Sequence, residues 1–305
     1  MKSRKLRTKS ERIILREKTV SFVIMVFVCA LFLFPLLYMF GTSFKSDLDL
    51  QLYPNKIFPS SWDQWTLAHY SGFLIRDGEV DNMVYWMINS LWSTAATVFL
   101  TVATDLIVAY ALVFLRWKGK NFFIGALILW MMIPGVLGMT SSFAMFASIK
   151  NLLNSQSDAA RYALIYGWLV LPSGTGIFNL LLMRTFFMSI PKDLIDSARS
   201  DGASHMTIFF KLIVPLAKPT IMLIILFSFN GAWNNLQWPQ LLLGPENVAW
   251  RTITVALASY TGGSTWGQAG VSMATSVFSL IPIMIIFFIT QNKMIDGMVT
   301  TGVKG

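Results

Sequence analysis

From Val20 to Phe44 the sequence carries no charged residue. About 20 apolar residues in helical form cross a bilayer core, so this run alone commits the chain to a membrane. Four more apolar segments follow, Val84–Leu115, Phe122–Ile149, Tyr162–Met183 and Gly267–Thr290, and another, roughly Ile213–Phe229, is entered through Pro215 and Pro219. Backbone in lipid must satisfy its own hydrogen bonds, and a helix does so within one segment. The expected fold is all-α, a polytopic membrane protein with six transmembrane helices. Composition agrees, since only 13% of residues are charged against about 25% in a soluble domain.

Loop charge orients the threading. Residues 1–18 hold eight Lys and Arg against Glu11 and Glu17. This segment could be a nucleic-acid arm, a secretory leader or a cytoplasmic anchor. The apolar run behind it is longer than a signal-peptide core, which favours an uncleaved first helix despite the small residues Gly41-Thr42-Ser43. With the N-terminus in the cytoplasm, residues 1–18, 116–120, 184–218 and the C-terminal stretch also lie there, and they contain 18 of the 24 Lys and Arg. The positive-inside rule therefore predicts both termini cytoplasmic. The domain reading is a basic cytoplasmic segment, 1–18, followed by one transmembrane domain, 19–305. The formal charge of +9 is spent on orientation, with no nucleic-acid pattern, and the lone Cys29 excludes a disulfide framework. Residues 45–81 are acidic and rich in Trp and Tyr, which suits an extracytoplasmic segment that touches either a soluble partner or the lipid interface.

The polar stretch 191–219, PKDLIDSARSDGASHMTIFFKLIVPLAKP, has an internal design. Pro191 suits a helix start, Asp193 and Asp196 suit its positive end, and Leu194, Ile195 and Ala198 form an apolar strip. Gly202 suits a left-handed stop, and Ser204 can begin a second helix running through Ile208, Phe209, Leu212 and Ile213. Such a helix-turn-helix elbow on the cytoplasmic surface can be gripped by another protein.

Asp196-Ser197-Ala198, then Asp201-Gly202-Ala203, then Ile213-Val214-Pro215-Leu216 resembles the EAA loop of ABC importer permeases, with Asp196 in place of the family's Glu and Ser197 in place of its first Ala. Val108–Leu112 with Arg116–Lys120 resembles the end of the second core helix in the sugar-importing, maltose-type branch, although Phe114 stands where that branch usually has Arg. Phe229–Asn234 and the closing QNKMIDGMVTTGVKG are similar to further stretches of the same branch, and residues 1–88 carry little of its pattern.

The resemblance implies a bacterial cytoplasmic-membrane permease that imports a sugar or oligosaccharide by alternating access. It implies several partners: a second, related permease, two nucleotide-binding ATPase subunits and an extracytoplasmic solute-binding protein. Asp196, Ser197, Ala198, Asp201, Gly202 and Ala203 would couple to the ATPase, and Gly302, Val303 and Lys304 would enter the ATPase interface. A permease for another solute, such as a glycerophosphodiester or a charged oligosaccharide, is the alternative, and a membrane scaffold or enzyme a more distant one.

No GxxxxGK[ST] loop occurs, so ATP and Mg are expected on partner subunits, with no cofactor on this chain. His69 and His205 fall on opposite sides of the membrane, which removes a paired-His metal site and leaves no catalytic residue to name. Sugars need amide groups and flat aromatic faces, which makes Asn179, Asn230, Trp233 and Asn234 the substrate-path candidates. Asp105, deep in an apolar segment, should face the protein. It is either a pathway carboxylate, an acid bonded to neighbouring Ser or Thr, or one close enough to the surface to stay wet.

Overall fold

The computed structural model describes residues 9–73, 83–152, 157–174, 176–244, 247–261 and 266–302. Among these the backbone is helical, with one isolated antiparallel bridge between Lys45 and Trp65 in place of any sheet. The chain divides into two compact units, residues 1–71 with 260–278, and residues 72–259 with 279–305.

In the first unit, α1 (Lys9–Thr42) exposes its apolar side chains from Val20 to Leu37, as a lipid-facing helix must. Beyond it the chain folds back tightly. Ser46 caps α2 (Asp47–Leu52) by accepting from Asp49 N–H, and short 3-10 turns at Trp62–Gln64 and Ala68–Phe73 follow. Lys45 and Asp49 are buried here. The Lys45 ammonium donates to Tyr53 C=O at 2.7 Å and lies 4.0 Å from the Asp49 carboxylate, which in turn accepts from Ser60. The imidazole of His69 meets Lys45 C=O at 2.8 Å and occupies the place where a Cβ on Gly270 would stand. The composition of this segment shows only that it is polar and aromatic; in the structure Lys45 and Asp49 satisfy one another and nearby backbone, so the segment has a polar core.

The second unit is organised on α3 (Met83–Phe114), which packs against α7 (Ile177–Ser189) and α11 (Lys218–Trp233). One face of α3 carries Ser90, Ser93, Thr94, Thr97, Thr101 and Asp105, all buried, at helical spacing. Turning this polar stripe inward keeps it out of lipid.

Two of the expected single spans are broken. The segment 122–149 is α4 (Lys120–Met132) and α5 (Val136–Leu152), bent by 95° at Ile133-Pro134-Gly135. The residue before Pro134 is forced out of helical backbone, and Ile133 is extended at φ −78° and ψ 122°. The segment 162–183 is divided near Pro172 into α6 (Asp158–Val170), a 3-10 turn and α7, although Leu171 before this proline keeps helical backbone at φ −60° and ψ −48°. The described helices long and apolar enough to cross a bilayer number three, or up to five if the bent pairs over 120–149 and 205–233 each count as one span. The remaining helices are α8 (Lys192–Ser200), α9 (His205–Ile208), α10 (Val214–Leu216), α12 (Gln237–Leu243), α13 (Ile253–Thr261) and α14 (Trp266–Gly302).

Two apolar clusters occupy the ends of α3. Beside its start, Tyr166 and Ile165 pack with Phe146, Leu242 and Leu243, and Tyr162 donates to Asn89 Oδ1 at 2.8 Å. At its end, Ala109, Tyr110 and Leu112 pack with Phe187, Ile195, Ile208, Phe209 and Ile213. The second cluster is the base on which the elbow rests.

Candidate functional site

The elbow is built from its own residues upward. In α8, Ile195 is buried while Leu194 and Asp196 face outward. Burying a side chain of this size contributes about 1.5–3 kcal/mol. The helix then stops in a Schellman motif. Ala203 N–H bonds back to Ala198 C=O and Gly202 N–H to Arg199 C=O, both at 3.0 Å. That closure needs a left-handed residue, and Gly202 has φ +78°. Ala198 and Ala203 complete it by packing on the cluster beneath. Ser204 restarts the chain as a helix by accepting from Thr207 N–H.

The second arm, expected to bend where Pro215 and Pro219 lead into the next apolar segment, does bend there. After α9 the chain takes a π-helical turn at Phe209–Ile213, and the arm meets α11 at 74° across Ala217. The wider turn places both Phe209 and Ile213 in the base. Pro215 and Pro219 remove backbone donors where the axis changes direction.

The outward surface of the elbow joins apolar and charged groups. Leu194, Met206 and Phe210 are exposed large hydrophobics. Arg199 lies 3.7 Å from Asp196, both largely in solvent, so this pair adds little to stability. Spaced apolar knobs with a charged rim can seat in a groove on a partner.

His205 has a role that sequence reasoning left vague. Its Nδ1 lies 3.1 Å from the Tyr110 hydroxyl, which also donates to His205 C=O at 3.3 Å. The two side chains are 95 residues apart and tie α9 to the end of α3. The only sequence signal was a Tyr near the end of a span. Tyr110→Phe keeps the packing and removes the bond, at about 1 kcal/mol. The expected result is normal membrane insertion with a less firmly held α9, read as faster protease cleavage within residues 191–219.

The other named residues separate. Asn179 is buried and donates to Ser228 Oγ at 3.0 Å. Trp233 is 2% exposed and stacked on Phe229, with ring centroids 5.5 Å apart. Asn230 and Asn234 are exposed, and Asn234 Nδ2 donates to both Asn230 carbonyls. Thus the structure pairs the two exposed amides and turns the indole into the packing. Gly302 ends α14, while Val303 and Lys304 lie outside the described residues.

Comparison with known proteins gives four concordant findings. The model of the family described as binding-protein-dependent transport system inner membrane component matches residues 14–298. The arabinooligosaccharides transport system permease protein AraQ of Halalkalibacterium halodurans is 28% identical over 94% of this chain and 95% of its own. The diacetylchitobiose uptake system permease protein DasC of Streptomyces coelicolor is 31% identical over 89% and 92%. Among solved structures, a chain of a bacterial ABC transporter involved in the import of the acidic polysaccharide alginate superposes with a TM-score of 0.73. That match covers 94% of this chain and 99% of the other at 22% identity, a likeness of fold.

Proposed function

Because the chain belongs to the family of binding-protein-dependent transport system inner membrane components, we propose that it is the permease subunit of an ATP-driven importer for a sugar or oligosaccharide. The observation that carries this reading is the elbow: a Schellman-closed turn on a packed base, with Leu194, Met206 and Phe210 exposed. Residues 191–219 are the coupling loop, with Asp196, Ser197, Ala198, Asp201, Gly202 and Ala203 at the contact with a separate ATPase subunit. Residues 19–305 form the transmembrane domain, and Gly302, Val303 and Lys304 extend toward the ATPase interface. The names of AraQ and DasC support a carbohydrate cargo.

In this scheme the cargo is handed over by an extracytoplasmic binding protein to a path shared with a second permease. ATP and Mg are held by the partner ATPases, whose closure draws the elbows together and opens the path outward. The elbow and its base move as one body, since Tyr110, Phe209 and Ile213 bind it to α3. The test is reconstitution with the partner subunits in vesicles, with labelled arabino-oligosaccharide and diacetylchitobiose as cargoes. ATP-dependent accumulation of a carbohydrate is expected, and none with any sugar offered would overturn the reading.

Six crossings with both termini in the cytoplasm are part of the proposal. The two Pro-broken segments each count as one crossing, and the loop charges support the orientation. A reporter fused after Gly78 should report outside, and one after Gly119 or Ser204 inside. Position 119 found outside would sink the six-span threading.

For the substrate path, the exposed amides Asn230 and Asn234 can bond sugar hydroxyls, and the buried Asn179 and Trp233 are its other two members. Asn234→Ala should cut uptake several-fold and leave assembly and basal ATPase near wild type. Trp233→Ala is a poorer probe, since emptying that buried position costs about 3–5 kcal/mol in packing. Unchanged uptake in Asn234→Ala would move the path elsewhere.

A further inference from the structure

Asp105 has a place in the structure that the transport reading does not use. It sits on α3 nine residues before Phe114, about 13 Å along the helix from that end. Its residue is 2% exposed, and its Oδ2 has no hydrogen-bond partner. Neighbouring Thr104 spends its hydroxyl on Leu100 and Gly174 carbonyls, at 2.8 and 2.7 Å. No ion pair to Asp105 is formed among the described residues.

The carboxylate lines a cleft of about 440 Å³ between α3, α4 and the start of α7. Apart from Thr104, whose hydroxyl is bonded to backbone, the other lining side chains are apolar or aromatic, among them Val108, Phe123, Leu127, Trp130 and Leu180. Trp130 is 69% exposed, so its ring stands on the open side. The cleft thus offers one unpaired acid in an apolar lining, with an aromatic edge beside it. An ionised carboxylate inside a membrane is costly unless a cation meets it. An aromatic wall attracts the same charge through its ring face. The volume lies in the range of small-molecule sites.

We propose that this cleft is a binding site for an amphipathic organic cation, a protonated primary amine whose ammonium pairs with Asp105 and whose apolar body lies along Trp130, Phe123 and Leu127. The neutral hydroxyls of a plain sugar do not match this lining, so the site is distinct from the Asn230–Asn234 amides and does not rest on the sugar reading. The anionic group selects charge, and the apolar walls select a hydrophobic tail over a bare metal ion.

The test uses the full chain assembled with its permease and ATPase partners in lipid nanodiscs. Dansylcadaverine, a fluorescent primary amine, is titrated beside its N-acetyl derivative, which has the same body and no charge. Saturable binding of the amine is expected, with the N-acetyl twin weaker by about tenfold or more, the loss of one charge-assisted contact. Asp105→Asn should weaken the amine by a similar factor while leaving the twin unchanged, and Trp130→Leu should weaken both. Equal binding by amine and twin, no saturable component in wild type, or wild-type affinity in Asp105→Asn would each overturn the proposal. Should Asp105→Asn fail to assemble, the comparison of amine with twin on wild type decides alone.

Discussion

Gly202→Val is expected to insert in the membrane normally and to lose most of its uptake. At φ +78° a β-branched residue is strained by about 1–2 kcal/mol. Within the chain nothing lies within 4 Å of where a Cβ would stand, so strain is the whole internal cost. That cost weakens the turn without unfolding a helix anchored by Ile195 and Ile208. A large loss of transport must then come from the altered docking surface. It should be read as ATPase subunit lost on purification, or as ATPase no longer stimulated by loaded binding protein. Gly202→Ala, with one methyl at the same angle, should be milder.

Asp196→Lys tests the same surface by charge. It puts a second cation beside Arg199, an exposed pair whose contribution to stability is under about 1 kcal/mol. Its effect on folding is therefore small and its effect on docking large. Wild-type uptake in both Gly202→Val and Asp196→Lys would show that this elbow is not the coupling element.

The second large effect is expected in residues 45–73. Lys45→Met leaves the Asp49 carboxylate buried with only Ser60 to satisfy it, and removes the donor that holds Tyr53 C=O. Breaking a buried pair from one side costs about 3–5 kcal/mol. The variant should accumulate poorly and be cleaved by protease within this segment. Combining it with Asp49→Leu should recover part of the loss, since an apolar pair can replace a buried ionic one. No recovery, with both variants equally cleaved, would mean that the ammonium's bond to Tyr53 matters more than its charge.

Burial also holds the Lys45 ammonium below the ordinary lysine value of 10.5, against the pull of Asp49. Between the lowered value and the ordinary one, the unfolded segment binds more protons than the folded one. Its stability should therefore rise with pH across that interval and level off above it. Protease resistance of wild type measured against pH checks the sign, and a fall with rising pH would contradict it.

Much of this protein is set by local pattern. Uncharged runs long enough to span a bilayer dictate helices, because lipid offers the backbone no other partner. The elbow was legible because its devices act over a few residues: an apolar strip, a left-handed Gly202 and a capping Ser204. The 122–149 segment reads as one span although Pro134 stands in it, and its 95° bend was not legible, because a missing donor allows a break and packing sets its size.

Contacts between distant residues were decided by the tertiary structure alone. Trp233 reads as a substrate-path aromatic in the sequence, and its stacking on Phe229 within a packed unit turns it inward. Lys45 reads as a loop charge, and only the return of residues 53–69 buries it. Tyr110 and His205 meet across 95 residues, and Asp105 gains a cleft only where α4 and α7 converge on α3. Periodicity reports which face of one helix is apolar. Which side chain that face meets depends on the path of the whole chain, and the pairing chemistry enters there.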